Sequence, residues 1–199
     1  MTPEGIRSFI AIELPGQVKD ELTRLLSILR TTRADVNWTS AQQMHVTLAF
    51  LGSVKKETID GVTGVLYRIS RSARPFSLCI GKIGAFPKPA YPRVVWVGID
   101  NPDGGLSDVV DALEEALENL GFSPEKRPFT AHVTLGRVRS PRGRKELVGA
   151  LTKASFSSLS PFYVNSLVLF QSTLTQKGPL YTPLATALLG GNARGKHEI

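Results

Sequence analysis

One tripeptide occurs twice in this chain, and the repeat restricts the folds that the chain can adopt. His-Val-Thr stands at positions 45–47 and again at 132–134, and each copy lies in an apolar run, MHVTLAFLG in the first case and AHVTLGRV in the second. The two histidines are 87 residues apart (132 − 45). Short apolar runs of this kind are typical of β-strands. The repeat therefore predicts two similar halves, each with one such strand.

Side chains alternate between the two faces of a strand, so His45 and Thr47 share one face, as do His132 and Thr134. If the two strands lie side by side or across a groove, two imidazoles and two hydroxyls converge. Imidazoles titrate near neutral pH, and hydroxyls can donate hydrogen bonds to an anion. This set suits cleavage of a phosphodiester, with one histidine as base, the other as acid, and the hydroxyls on the non-bridging oxygens.

The alternative is that these histidines are structural. A single H-x-T sequence is common by chance, and a histidine in an apolar strand is often a hydrogen-bonded core residue. Two of the three histidines in this chain, however, stand in the same tetrapeptide, His-Val-Thr-Leu. We therefore favour the catalytic interpretation for His45, His132, Thr47 and Thr134.

With these motifs the sequence resembles the 2H phosphoesterases, a family named for its two H-x-T motifs, and most closely their RNA 2′,3′-cyclic phosphodiesterase branch, also described as 2′-5′ RNA ligases. The resemblance covers nearly the whole chain. The segments that carry it are RSFIAIELP, HVTLAFLG, RVVWVGI, RPFTAHVTLGR and FQSTLTQKGPLY. One departure is Ala131, where the family usually has proline. Proline would fix the entry into the strand, but its replacement removes no reacting group.

The resemblance implies an α+β, bilobal 2H phosphoesterase fold, in which two antiparallel sheets are related by pseudo-twofold symmetry and helices cover their outer faces. It implies hydrolysis of RNA 2′,3′-cyclic phosphate ends to a 2′-phosphate, with His132 as base toward water and His45 as acid toward the departing oxygen. It also implies substrate contacts from Phe9, which can alternatively be a core residue, and from Arg137. The odd offset of Arg137 from His132 points it to the other face unless the strand twists, bulges or ends there.

The hydrophobic periodicity predicts the same order of elements in both halves: a strand, a helix and an H-x-T strand. Predicted strands are Ser8–Leu14, Met44–Gly52, Phe76–Ile83, Arg93–Ile99, Ala131–Val138, Phe162–Phe170 and Tyr181–Leu189. Predicted helices are Val18–Leu29, Lys55–Ser72, Leu106–Leu120 and Lys145–Lys153. The Pro-rich stretch FPKPAYP is expected to be a loop, and Trp38 either lines the substrate groove or seals the core.

A single bilobal domain over residues 1–189 and a disordered tail over 190–199 are expected, because 199 residues with 42% hydrophobic side chains can bury a substantial core. No run approaches ~20 apolar residues and no charged leader precedes the first strand, so a cytoplasmic protein without a membrane span is expected. We also expect a monomer. Cys79 is the only cysteine, which excludes an intrachain disulfide.

The net charge of +7 favours an anionic partner, and RNA with a 2′,3′-cyclic phosphate end, including tRNA fragments, fits it. No acidic cluster or His-rich motif suggests a metal, and no G-x-x-x-x-G-K motif suggests ATP, so no cofactor is expected. Three alternatives remain open. They are ATP-independent 2′-5′ RNA ligation, a non-catalytic RNA-end binding module, and turnover of small cyclic nucleotides or ADP-ribose cyclic phosphate.

Overall fold

The computed structural model describes residues 5–125, 127–154, 160–176 and 178–190, which form nine strands and four α-helices. The strands are β1 Ile6–Glu13, β2 Val36–Trp38, β3 His45–Val54, β4 Phe76–Lys88, β5 Tyr91–Asp100, β6 His132–Val138, β7 Phe162–Val164, β8 Ser166–Thr175 and β9 Gly178–Leu188. The helices are α1 Gly16–Arg30, α2 Lys56–Ser72, α3 Gly105–Glu118 and α4 Arg144–Lys153. A short 3-10 turn, Ala41–Gln43, precedes β3.

The strands form one antiparallel sheet made of two halves. One half has the order β7-β4-β5-β6, with β2 also paired to β6, and the other has the order β3-β1-β8-β9. The halves meet where β3 pairs with β6, at Val46 opposite Val133. The predicted α+β class and antiparallel architecture are confirmed, and the two predicted sheets are joined edge to edge through this pair.

An approximate twofold axis relates the two halves. Outward from the junction, the strands run β3, β1, β8 on one side and β6, β5, β4 on the other. The residues paired at the junction, Val46 and Val133, are the central residues of the two His-Val-Thr motifs. The fold therefore places the repeated motifs next to each other, as the sequence repeat predicts.

The helices are amphipathic and cover one face of the sheet. In α1 the buried residues recur every three or four positions, which is the period of one helix face. They are Val18, Leu22, Leu25, Leu26 and Leu29. They pack in one core with strand residues that include Val46 and Val133, both fully buried. Because neighbouring strand residues point to opposite faces, the motif histidines and threonines lie on the face away from this core.

A second, smaller apolar cluster lies on the opposite face of the half formed by β3, β1, β8 and β9. It consists of Phe9 and Ala11 from β1 and Val168 and Phe170 from β8, with Tyr181 of β9 packed against it. Phe9 is opposite Phe170 and Ala11 is opposite Val168 in the strand pairing, so these side chains share one face. This cluster forms the floor beneath the first motif.

Three details differ from the predicted elements. The Pro-rich stretch continues β4 and β5, because Lys88 pairs with Tyr91 and leaves only Pro89 and Ala90 as the turn. Its two strand prolines face each other at an irregular point of the register, where missing N–H groups are tolerated. The predicted strand Phe162–Phe170 is divided at Asn165 into β7 and β8. The strand β2 was not predicted, because three residues are too few to show a period.

Trp38 of β2 packs against the main core, in agreement with the core alternative. No helix in the described part of the chain is long and apolar enough to cross a membrane. The predicted disordered tail, apart from Gly190, lies outside the described residues.

Candidate active site

The pairing of β3 with β6 brings the four predicted catalytic residues together. With Val46 opposite Val133 in an antiparallel pair, the register places His45 across from Thr134 and Thr47 across from His132. Both valines point into the main core, so the four polar side chains project from the other face. All four are half-buried. These four side chains form the floor of a cleft, in which the two imidazoles are diagonal to each other and so are the two hydroxyls.

Both imidazoles are held in the same way. His45 Nδ1 is 2.8 Å from the carbonyl oxygen of Gln43, and His132 Nδ1 is 2.6 Å from the carbonyl oxygen of Thr130. A carbonyl oxygen only accepts hydrogen bonds, so each Nδ1 carries the proton and donates it. In the neutral ring, Nε2 is then the basic nitrogen. The two histidines therefore have the same tautomer, with Nε2 available to exchange a proton with a substrate.

His45 lies on the smaller apolar cluster, beside Phe9, Phe170 and Tyr181. Its ring is stacked on Phe9 at 4.8 Å between centroids and meets Tyr181 edge-on at 5.2 Å. Phe9 is only 3% exposed and also stacks on Phe170. The structure thus places Phe9 beneath the imidazole as a support, and the face that a nucleobase would need is already covered. Base stacking by Phe9 stays a prediction.

The surroundings of His45 lower its pKa to about 4, mainly because burial disfavours the charged imidazolium. The hydrogen bond to Gln43 opposes this shift, and the positive charges of Lys19 and His132 add to it. His45 is therefore neutral at pH 7 in the free protein. The contribution of His132 also indicates that the two imidazoles are close enough to sense each other's charge.

His132 lies against a different pair of aromatic residues. Phe86 meets its ring edge-on at 5.4 Å, and Trp96 lies 6.2 Å away. The Trp96 indole lies directly on Gly84, which leaves no room for a Cβ at that position. Trp96 and Phe9 are 87 residues apart, the spacing of the histidines themselves. Each half therefore places aromatic residues beside its imidazole.

A β-bulge decides where Arg137 points. Trp96 is opposite Thr134 and Val95 is opposite Gly136, which leaves Leu135 as an extra residue on β6. One extra residue reverses the alternation of side chains, so Arg137 returns to the face of His132. Arg137 is exposed, and its charge acts on Tyr181 beside His45. The sequence left a twist, a bulge or a strand end open as ways to turn Arg137 toward His132, and the structure has the bulge.

Positive charges from both halves of the cleft act on Tyr181. Burial raises the pKa of its hydroxyl, while the positive charges of Arg137 and Arg7 act in the opposite direction. Arg7 was not among the predicted site residues. Its position two residues before Phe9 on the same strand was the signal for it, because residues i and i+2 share a face. The cleft thus has two exposed arginines near Tyr181.

Phe50 is a further residue that the sequence reading missed. It is 74% exposed, it is opposite Phe9 in the strand pairing, and the two ring centroids are 6.2 Å apart. A bulge at Leu48 brings it to the cleft face, just as the bulge at Leu135 does for Arg137. The two bulged residues, Leu48 and Leu135, are also 87 residues apart in the sequence. One half of the cleft therefore presents an open aromatic ring where the other presents a cation.

Among the described residues, no three His, Cys, Asp or Glu side chains are grouped to hold a metal ion. The groups gathered in the cleft are imidazoles, hydroxyls, guanidinium groups and aromatic rings. This combination can transfer protons and bind a phosphate.

A two-half antiparallel sheet with paired H-x-T motifs in its central cleft defines a phosphoesterase of the two-histidine class. The model of the LigT like Phosphoesterase family matches the chain twice in succession, over residues 12–96 and 97–181. The chain belongs to this family. The double match follows the internal repeat, since each match contains one of the two His-Val-Thr motifs.

Relatives and solved structures agree with this assignment. The chain is 34% identical over 182 residues to an RNA 2′,3′-cyclic phosphodiesterase of Methanothermobacter thermautotrophicus, with 90% of this chain and 96% of the relative covered. It is 36% identical over 163 residues to a protein of the same name from Aeropyrum pernix, with 82% and 92% covered. The crystal structure of Escherichia coli LigT in apo form superposes with a TM-score of 0.75 at 26% identity, with 94% of this chain and 99% of that chain covered.

Proposed function

We propose that this protein hydrolyses 2′,3′-cyclic phosphates at RNA ends and leaves a 2′-phosphate. Relatives over most of the chain are named RNA 2′,3′-cyclic phosphodiesterases. The observation that carries the proposal is the Val46–Val133 pairing, which puts both histidines and both threonines on one face. A cyclic phosphate needs a base, an acid and donors for its charged oxygens, and these four side chains supply them.

In the proposed reaction His132 Nε2 takes a proton from water as the water oxygen attacks phosphorus. The bond between phosphorus and the 3′ oxygen breaks, and a proton from His45 Nε2 goes to that oxygen. The products are a 2′-phosphate and a free 3′-hydroxyl. Afterwards His132 is protonated and His45 is neutral, and proton exchange with solvent restores both.

Thr47 and Thr134 are proposed to donate hydrogen bonds to the non-bridging oxygens, each from the position across from the other half's histidine. Arg137 and Arg7, whose charges both act on Tyr181, are proposed to add positive charge near these oxygens. Phe50 offers the exposed ring on which the terminal base can stack. Phe9 supports the His45 imidazole from below.

The acid role of His45 depends on the substrate's own charge. In the free protein its pKa of about 4 leaves it neutral at pH 7. An anionic phosphate next to the ring favours the imidazolium, because an opposite charge stabilises the charged form. Substrate binding is therefore proposed to raise the pKa of His45 and load it with the proton that it later delivers.

We expect NMR titration to find the His45 imidazole titrating near pH 4 in the free protein and at distinctly higher pH in saturating sulfate. Sulfate is a suitable probe because its own charge does not change in this range. By linkage, sulfate then binds more tightly as the pH falls. Without sulfate, His45 takes up its proton at a higher pH in the unfolded chain than in the folded protein. The contribution of neutral His45 to the free energy of unfolding is therefore complete above pH 6.5 and is lost as the pH falls toward 4. An unchanged pKa in sulfate would contradict the proposed loading, and His45→Gln identifies the resonance.

The reaction is proposed to need no metal and no nucleotide cofactor, since the imidazoles and hydroxyls perform each step. The test is turnover of a short RNA with a 2′,3′-cyclic phosphate end in excess chelator, with product analysis. We expect a 2′-phosphate. Activity that disappears in chelator and returns with a divalent ion would refute metal independence. A 3′-phosphate, or an intact substrate with folded protein, would refute the assigned reaction.

A further inference from the structure

A groove with a volume of about 480 Å³ lies between the tip of the β4–β5 hairpin and the beginning of α4. Its lining is Ala90, Tyr91, Pro141, Arg144, Lys145 and Val148. Tyr91 is 59% exposed. The groove combines an open aromatic ring and apolar surface with two cationic side chains, and none of its residues belongs to the cleft of the two histidines.

The cations of this groove are arranged around the tyrosine ring. Lys88 Nζ is 5.4 Å and Arg144 Cζ is 6.0 Å from the Tyr91 ring centroid. Within the described part of the chain, Lys88, Arg144 and Lys145 form no ion pair, and Arg144 Nε is buried without a hydrogen-bond partner. The first turn of α4 has no side-chain cap on its N–H groups, but it carries Glu146, whose negative charge offsets the partial positive charge of the helix end. The positive charge of the groove therefore comes from Lys88, Arg144 and Lys145.

The groove lies near the cleft, at the end of the sheet where Arg137 is found. Phe86, which contacts His132, is two residues from Lys88 on β4, a rise of about 7 Å. Phe86 is opposite Val94, and Val94 is opposite Arg137. The α4 side of the groove belongs to the helix layer behind the sheet, since Leu147 and Leu151 pack in the main core. RNA that leaves the cleft past Phe86 therefore has to bend around this end of the sheet to reach Tyr91.

We propose that this groove binds the single-stranded RNA that precedes the cyclic phosphate end, with a base on Tyr91 and phosphates on Lys88, Arg144 and Lys145. Non-specific single-strand sites combine these two features, an aromatic ring for stacking and cations along the backbone. A cyclic mononucleotide bound at the histidines does not extend this far. The inference rests on the proposed function and makes RNA the preferred substrate class over small cyclic nucleotides.

The test compares two substrates, a cyclic mononucleotide and a 10-nucleotide RNA with a cyclic phosphate end. For Tyr91→Leu and for the double variant Arg144→Gln/Lys145→Gln, we expect kcat/KM on the RNA to fall about tenfold or more through KM. Turnover of the mononucleotide is expected to stay within about twofold. For the double variant, the dependence of KM on salt should also become less steep, because fewer phosphates are neutralised.

Two matched controls separate the groove from general effects. Tyr91→Phe keeps the ring and should keep RNA turnover, whereas Arg68→Gln/Arg71→Gln removes the same charge from α2, away from the groove, and should leave the RNA KM nearly unchanged. Unchanged RNA kinetics in the groove variants would overturn the proposal. Equal losses on both substrates would overturn it as well, since they indicate a structural effect on the cleft.

Failure of the proposed function gives a different pattern. If folded wild type turns over neither substrate, the hydrolase assignment fails while the groove is tested by RNA binding alone. Fluorescence anisotropy with the same RNA ending in a 3′-hydroxyl then measures the affinity directly. A roughly tenfold weaker binding by the groove variants supports the groove, and equal binding by wild type and variants overturns it.

Discussion

His45→Ala and His132→Ala are each expected to lower kcat/KM for a cyclic-phosphate RNA by about 10² to 10⁴, the range in which general acid–base catalysis contributes. Each variant removes one Nε2 and leaves the strand pairing at Val46 and Val133 in place. The double variant should be little worse than either single one, because both protons move in the same reaction. The measurement is initial-rate kinetics on the RNA in chelator.

A sulfur atom at the bridging 3′ position tells the acid from the base. A thiolate is a much better leaving group than an alkoxide and does not need the proton that an acid supplies. With this substrate, His45→Ala should regain most of the rate of wild type, whereas His132→Ala should stay slow because water still needs a base. The opposite pattern would exchange the two roles, a result that the lowered pKa of His45 in the free protein would then explain.

His197→Ala is the matched control for these variants, since it replaces the remaining histidine of the chain. Its kinetics should equal those of wild type. Thermal unfolding of all four variants checks that they are folded. Full activity in a folded His45→Ala or His132→Ala protein would refute the two-histidine mechanism.

The convergence of the motifs could be predicted from the sequence because a repeat of whole elements favours a twofold arrangement. Because side chains alternate between the two faces of a strand, the sequence also predicted which neighbours share a face with each histidine. The periodicity of the four helices was equally clear, and all four are present. These features depend on local patterns, and the chain shows them directly.

The bulges could not be predicted, and they decide the rest of the cleft. An extra residue at Leu48 and another at Leu135 reverse the alternation, so Phe50 and Arg137 face the histidines despite an odd offset. A bulge depends on how two strands pair, which no single strand reveals. The burial of Phe9 depends in the same way on Phe170 and Tyr181, which come from distant parts of the chain.

Thr47→Val and Thr134→Val are each expected to lower kcat by about 10² to 10³, as is typical when one donor to a developing anion is removed. Valine keeps the shape and the strand propensity of threonine and removes only the hydroxyl. The register places each threonine across from the histidine of the other half, so we expect the two losses to be similar in size. Single-turnover kinetics on the cyclic-phosphate RNA measures the chemical step directly.

Thr47→Ser and Thr134→Ser are the controls, because serine retains the donor and loses only a methyl group. They should stay within about tenfold of wild type, since the oxyanion contact is preserved. If valine and serine variants lose activity equally, the threonines act through packing and the proposed hydrogen bonds to phosphate are wrong. A valine variant that raises KM without lowering kcat would instead assign the hydroxyl to ground-state binding. Since the pseudo-twofold cleft presents one hydroxyl from each half, both threonines should show the same pattern.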